Sequence, residues 1–343
     1  ELFSGEEGLE AARRTRAAQE NVELARALSR SARFGEIKVG FYVNIFSTEE
    51  EEQFSAMTFL LPDGTAYLSF RGTNGTIVGW KEDFNMTYMS PVPAQRDGAA
   101  YLCEVAGRIG NPLRLGGHSK GGNVAVYAAM SCEEEVQNRI LAAYNHDGPG
   151  FREENFQSEG FVRIRDRVFK TMPRSSLIGM LLTSKVHYSV VRSTRRGVHQ
   201  HDPFSWVVKN GNFSCAEKLT ATARLRGEIV NGWVREYSDD KRALFIDTFY
   251  QAVKATNVET LGELTGEGLK NAATMLQALN GVDEETKRFV MKTLGTLFSL
   301  SMREVFENLP IIRKEERKQG KKVRRLRRKV KQEGPGGQAH SEN

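Results

Sequence analysis

Apolar residues recur at two different periods along this chain, and the places where the period changes divide it. From Leu9 to Ser31, Ala, Leu and Val return every three or four positions amid Arg and Glu, the spacing of an amphipathic helix. From Ile37 the texture shortens to β-branched and aromatic runs, Ile37–Ile45, Gln53–Leu60 and Thr65–Phe70, the last two separated by the turn signal Pro62-Asp63-Gly64. After Gly72 the two textures alternate. Ala94–Gly107 reads as a helix, Leu113–Gly116 as a strand, Gly121–Met130 as a helix and Ile140–Asn145 as a strand, with Phe161–Arg165 and Tyr188–Val191 as further strands. Such alternation predicts an α/β fold with a mostly parallel sheet and covering helices. From Cys215 to Ile312 only helical texture remains. The expected organisation is a lead-in helix (1–33), an α/β domain (34–212), a helical appendage (213–312) and a tail (313–343).

Composition changes this picture at one end only. Hydrophobic residues make up 39% of the 343 and charged ones 27%, an ordinary balance for a water-exposed globular chain, and no apolar run approaches the roughly 18 residues of a membrane span. The net charge of +6 is concentrated. Arg313–Lys331 holds 12 Lys or Arg against two acids, so this segment nets +10 and the rest of the chain −4. Nothing after Glu1 has the order of a secretion signal, and a cytoplasmic location is expected. Three scattered cysteines, Cys103, Cys132 and Cys215, suit neither a disulfide framework nor a Cys-x-x-Cys zinc site.

The chemistry-bearing signal is Leu113-Arg114-Leu115-Gly116-Gly117-His118-Ser119-Lys120-Gly121-Gly122-Asn123, a strand running into a helix with G-x-S-x-G at the junction. A sharp turn there strains the serine backbone and crowds the positions two before and two after it, hence Gly117 and Gly121. The turn exposes the Ser119 hydroxyl as a nucleophile and puts the Lys120 amide, at the start of a helix, where it can stabilise an oxyanion. The pattern is the one expected of a nucleophile elbow in an α/β-hydrolase fold.

A second motif, Phe70-Arg71-Gly72-Thr73 followed by Trp80 and Asp83, lies about 50 residues upstream. With the elbow it resembles the class-3 lipases. The resemblance implies that Thr73 supplies the second oxyanion donor through its backbone N–H, with its hydroxyl as a further candidate, and that Asn74–Asp83 forms a lid. The wider series of FRGT, GWKEDF (79–84), GHSKGGN (117–123), DGPGF (147–151) and QHDPFSW (200–206) is similar to a bacterial family of lipase-like α/β hydrolases, over about Phe34 to Val208. A lid of this kind implies an apolar acyl guest, such as a fatty acid ester or a lysophospholipid.

A serine hydrolase of this fold places its acid and then its histidine after the nucleophile. His201, past the last expected strand on a loop closed by Pro203, is the expected base, with His199 as competitor. The place where class-3 lipases carry the acid reads Phe169-Lys170-Thr171-Met172-Pro173, without a carboxylate. Asp147, directly after Ile140–Asn145, is the expected acid, and Asp166 the alternative.

The expected activity is therefore serine-dependent carboxylic ester hydrolysis through an acyl-enzyme on Ser119, with no cofactor and no metal. Two other classes fit parts of the sequence: a hydrolase-fold binding protein without catalysis, and a metal-dependent hydrolase using His146-Asp147 and His199-x-His201-Asp202. The basic segment Arg313–Lys331 has Val323, Leu326 and Val330 three and four apart, a thin apolar line suited to peripheral contact with an anionic membrane. Nucleic acid is not an expected partner, because that segment has no aromatic residue to stack on bases.

Overall fold

The computed structural model describes residues 17–260, 263–264 and 268–307. Its centre is an eight-stranded sheet built from β1 (Lys38–Ser47), β2 (Glu52–Leu60), β3 (Ala66–Phe70), β4 (Leu113–His118), β5 (Ile140–His146), β6 (Val168–Pro173), β7 (Tyr188–Val191) and β10 (Cys215–Ala216), in the order β1-β2-β3-β4-β5-β6-β7-β10. The strands β3 through β7 run parallel, flanked by antiparallel β1 and β2 on one side and β10 on the other. The turn between β2 and β3 follows from Asp63 and Gly64. The Asp63 carboxylate accepts from the Thr65 amide and hydroxyl, while Gly64 takes φ +81°. A short hairpin, β8 (Val208–Lys209) with β9 (Asn212–Phe213), leads into β10.

Between the parallel strands run α2 (Ile77–Asn85), α3 (Pro93–Arg108), α4 (Lys120–Ser131), α5 (Glu134–Arg139) and α6 (Glu159–Ile164). Because neighbouring parallel strands follow one another in sequence, right-handed crossovers bring these helices to one face. There α3 and α4 pack on each other and on β2 to β5, burying Phe54, Leu68, Phe70, Leu115, Val124 and Ile140 among others. The opposite face carries stacked rings of Tyr67, Tyr144 and Phe169. This is the α/β-hydrolase arrangement, with every parallel strand delivering its C-terminal end to one rim.

Further elements are α1 (Ala18–Arg30), the described part of the helix expected over Leu9–Ser31, and α7 (Ala221–Glu236), α8 (Asp239–Lys254), α9 (Gly268–Leu279) and α10 (Glu284–Glu307). Contacts group the chain into two units, Glu1–Val290 and Met291–Asn343, and the candidate site lies within the first. No described helix is long and apolar enough to cross a membrane. The basic segment Arg313–Lys331 lies outside the described residues.

Two expectations are corrected. Phe161–Arg165 is not a strand: Glu159–Ile164 is helical, with the Ser158 hydroxyl accepting from the Phe161 amide as N-cap. Gly160 lets this helix press against α4, since a Cβ there would lie 1.9 Å from the Met130 carbonyl oxygen. The stretch from Cys215 is not purely helical either, because Cys215 and Ala216 pair with Val191 and Val190 to extend the sheet.

Candidate active site

Ser119 occupies the turn between β4 and α4 with φ 58° and ψ −131°, a conformation that L-residues rarely adopt. Its neighbours explain how the turn is accommodated. A Cβ on Gly117 would fall 2.3 Å from the Phe70 carbonyl oxygen, and one on Gly121 would fall 2.1 Å from the same atom. The Ser119 amide donates to the His146 carbonyl at 2.9 Å, fixing the elbow to the end of β5.

Asp147 is the next residue after β5, wholly buried, with its amide bonded to the Thr171 carbonyl of β6 at 2.7 Å. Its Oδ2 stands 2.7 Å from Nδ1 of His201, and its Oδ1 accepts from the Ser176 hydroxyl at 2.5 Å. A carboxylate can only accept here, so His201 carries its proton on Nδ1 and presents Nε2 as the basic nitrogen. Asp166 is elsewhere. It precedes β6 rather than following it, and its side chain is solvent-exposed. His199 and His187 are exposed as well, and His340 lies outside the described residues.

His201 belongs to a five-residue 3-10 segment, Gly197–His201, and its loop is fastened through Gln200 rather than by the sheet. Trp206 Nε1 donates to the Gln200 carbonyl at 2.8 Å, and the Ser175 amide donates to the Gln200 side-chain oxygen at 3.0 Å. No hydrogen bond joins Ser119 Oγ to another described residue.

The loop after β3 reaches the serine from the other side. A Cβ on Gly72 would lie 3.2 Å from Cβ of Ser119, so the chain passes against this serine and leads directly to Thr73. Gln53 shapes this loop, accepting from the Asn74 amide at 3.1 Å and donating to the Gly72 carbonyl at 3.4 Å. The Thr73 hydroxyl donates to Asp83 Oδ2 at 2.7 Å, so its one hydrogen is already engaged, while its backbone amide is a separate donor. Burial pushes the Asp83 carboxyl from its ordinary 3.8 up to about 6, against the opposing pull of Lys120.

The Lys120 side chain is buried. Its Nζ donates to Glu82 at 2.5 Å and to the Gln53 carbonyl at 2.6 Å. Glu82 also accepts from the Gln53 amide at 3.1 Å and from the Ala94 amide, at the start of α3, at 2.7 Å. The segment expected as a lid thus contains a helix, α2, N-capped by Thr76 and anchored through Glu82. Its Lys81 reaches Glu51 at 2.8 Å and Asp247 of α8 at 2.6 Å. Trp80 packs against Phe84 of the same helix.

Sequence reasoning assigned no role to Ser176, Gln53, Glu82 or His118, all of which touch the machinery. Only Glu82 and His118 stood inside quoted motifs, and neither position announces a role without its spatial partner. His146 lies among the rings of Tyr144, Trp206 and Phe213, where burial holds its pKa down. Among the described residues no group of three or more His, Cys, Asp or Glu could hold a metal ion.

Comparison with known proteins adds a family. No curated protein matches the chain. Among solved structures it is similar to the M37 lipase, with 16% identity and a TM-score of 0.35, over 47% of this chain and 63% of that one. The chain thus spans about 63% of that lipase's length. It is also similar to two structures of the esterase Est22, each at 11% identity, with TM-scores of 0.25 and 0.26, over 71% and 72% of this chain and 88% of each of those. The sequence model described as Mbeg1-like matches residues 28–251, well over half of the chain, and the protein belongs to the Mbeg1-like family.

Proposed function

We propose that this protein is a serine-dependent carboxylic ester hydrolase. The observation that carries the reading is the 2.7 Å contact between His201 Nδ1 and Asp147 Oδ2, made by residues 54 apart beside a strained, Gly-flanked serine. In the proposed reaction Ser119 Oγ attacks the ester carbonyl carbon as His201 Nε2 takes its proton. The negative oxygen of the tetrahedral intermediate faces the amides of Thr73 and Lys120, and donors so placed are each worth about 100- to 1,000-fold in rate. His201 returns the proton to the departing alkoxide, leaving an acyl-Ser119 ester. Water, deprotonated by the same histidine, then releases the acid. Buried Asp147 holds the imidazole in the productive tautomer and stabilises its charged form.

Acyl esters of lipid type are the proposed substrates, an inference that rests on the lipase-like motifs. The test is covalent labelling with a fluorophosphonate, followed by turnover of p-nitrophenyl esters of increasing chain length. Wild type is expected to label and turn over. Ser119→Ala should do neither, and Asp147→Asn should lose orders of magnitude in turnover, whereas Asp166→Asn should be close to wild type. A wild-type protein that neither labels nor hydrolyses any ester would leave a hydrolase-fold binding protein as the better reading.

A further inference from the structure

His118 is the last residue of β4 and immediately precedes the nucleophile. Its ring lies against that of His201, with centroids 4.4 Å apart and planes tilted by 39°. Its Nε2 is 2.7 Å from the backbone carbonyl oxygen of His201. A carbonyl oxygen only accepts, so this nitrogen carries a hydrogen and donates it. Trp206, which fastens the same loop through Gln200, meets the His118 ring edge-on at 6.1 Å.

These contacts differ from ordinary packing in what they connect. His201 stands at the end of a five-residue 3-10 segment with no strand or long helix to place it. Asp147 grips only the far edge of its ring. The nucleophile is placed by a separate part of the chain, the elbow between β4 and α4. His118 is the one residue bonded covalently to Ser119 that also touches both the ring and the backbone of His201.

We propose that His118 is a positioning residue that sets the register between the base His201 and the nucleophile Ser119, through its hydrogen bond to the His201 carbonyl. The proposal rests on the ester-hydrolase reading for its catalytic meaning, but the geometry it invokes can be read without turnover. An effect through register acts on the proton transfer from Ser119. It therefore lowers kcat and leaves KM, which depends on substrate contacts elsewhere, nearly unchanged.

The experiment separates donor from ring. His118→Phe keeps an aromatic ring and loses the donor; His118→Gln loses the ring and keeps an amide donor at the reach of Nε2. His118→Asn, whose amide is too short to reach the carbonyl, is a second donor-deficient form. Phe and Asn are expected to lower kcat by about 10- to 100-fold at unchanged KM, the scale of a misplacement of roughly 1 Å, with Gln restoring most of the loss. In parallel, the downfield proton of His201 Nδ1–H, held by Asp147, is followed by NMR. It should broaden or vanish in Phe and Asn and persist in Gln. Wild-type kcat together with an unaltered proton signal in folded His118→Phe would overturn the proposal, as would equal losses in Phe and Gln, which would make His118 a packing residue. If wild type hydrolyses no ester, the proton signal alone decides the register claim, and the failure belongs to the hydrolase reading.

Discussion

Asp83 shows how much one buried oxygen can shift a balance. Its Oδ2 accepts from the Thr73 hydroxyl, while its Oδ1 is buried with no hydrogen-bond partner among the described residues. Desolvation dominates and pushes the carboxyl from 3.8 to about 6, with the Lys120 charge and the Thr73 bond opposing it. The consequence for stability has a definite sign. A folded-state pKa above the unfolded value means that folding favours the protonated form, so the contribution is fully present below the ordinary carboxylate value and is lost as pH rises through about 6. A shift of this size corresponds to about 3 kcal/mol. Denaturant unfolding of wild type and Asp83→Asn at pH 4 and pH 7 should show wild type losing up to that amount relative to the variant on going to the higher pH. Parallel pH dependence in the two proteins would remove Asp83 as its source. The glycines allow a simpler contrast. Gly121→Ala drives a methyl group into the Phe70 backbone carbonyl and should cost several kcal/mol along with the elbow itself, whereas Gly107, near the end of α3 with nothing within 4 Å, should accept Ala at a gain of up to about 1 kcal/mol.

At the scale of elements, α2 is joined to α4 through buried charge. Lys120 and Glu82 both have side chains fully out of solvent, and every oxygen of Glu82 is used: Lys120 and the Gln53 amide on one, the Ala94 amide on the other. Removing one partner of such a pair strands the other, at about 3–5 kcal/mol, and removing both charges relieves much of that. Lys120→Met should therefore destabilise by that amount in urea unfolding, and Lys120→Met combined with Glu82→Gln should recover at least half of it. A double variant as unstable as the sum of the singles would mean the two residues act independently. No sequence pattern announced this pair, because its members are 38 residues apart and each resembles a surface charge. Strands and helices that carry their own period were legible: β1 to β5, α3 and α4 fall within a few residues of where the pattern puts them. Phe161–Arg165 misled because Phe-Val-x-Ile satisfies both periods; of the deciding signals, the Ser158 cap is local and outweighed by that ambiguity, and the close packing at Gly160 is tertiary. The site divided in the same way. Ser119 announced itself through steric demands on its immediate neighbours, whereas the preference for Asp147 over Asp166 depended on which end of a strand each occupies, and so on the true start of β6.

At the scale of the whole molecule the charge is lopsided, and this is the property that composition reveals and the fold does not. Arg313–Lys331 nets +10 while the remainder nets −4, so the chain behaves as a mildly acidic body joined to a strongly basic segment. A solvated, repelling charge run would account for that segment if it served solubility alone. Its apolar residues argue for more. Val323, Leu326 and Val330 fall three and four apart, so a helix there would carry one thin apolar line in a basic cylinder, too narrow to bury in a protein core but able to lie on a charged interface. Nucleic acid is the weaker partner, since the segment has no ring to stack on bases. Each Lys or Arg near an anionic bilayer contributes about 1 kcal/mol, and engaging even half of the 12 would give peripheral binding strong enough to measure and sensitive to salt. An enzyme acting on lipid esters would thereby be held where its substrates are. The expected outcome is sedimentation with vesicles containing anionic lipid at low salt, release at high salt, and none with neutral vesicles. A chain ending at Pro310 should lose sedimentation and keep the proposed turnover of a soluble ester, because Ser119, Asp147 and His201 all lie upstream. Equal sedimentation of the full and shortened chains would place any membrane contact elsewhere on the protein.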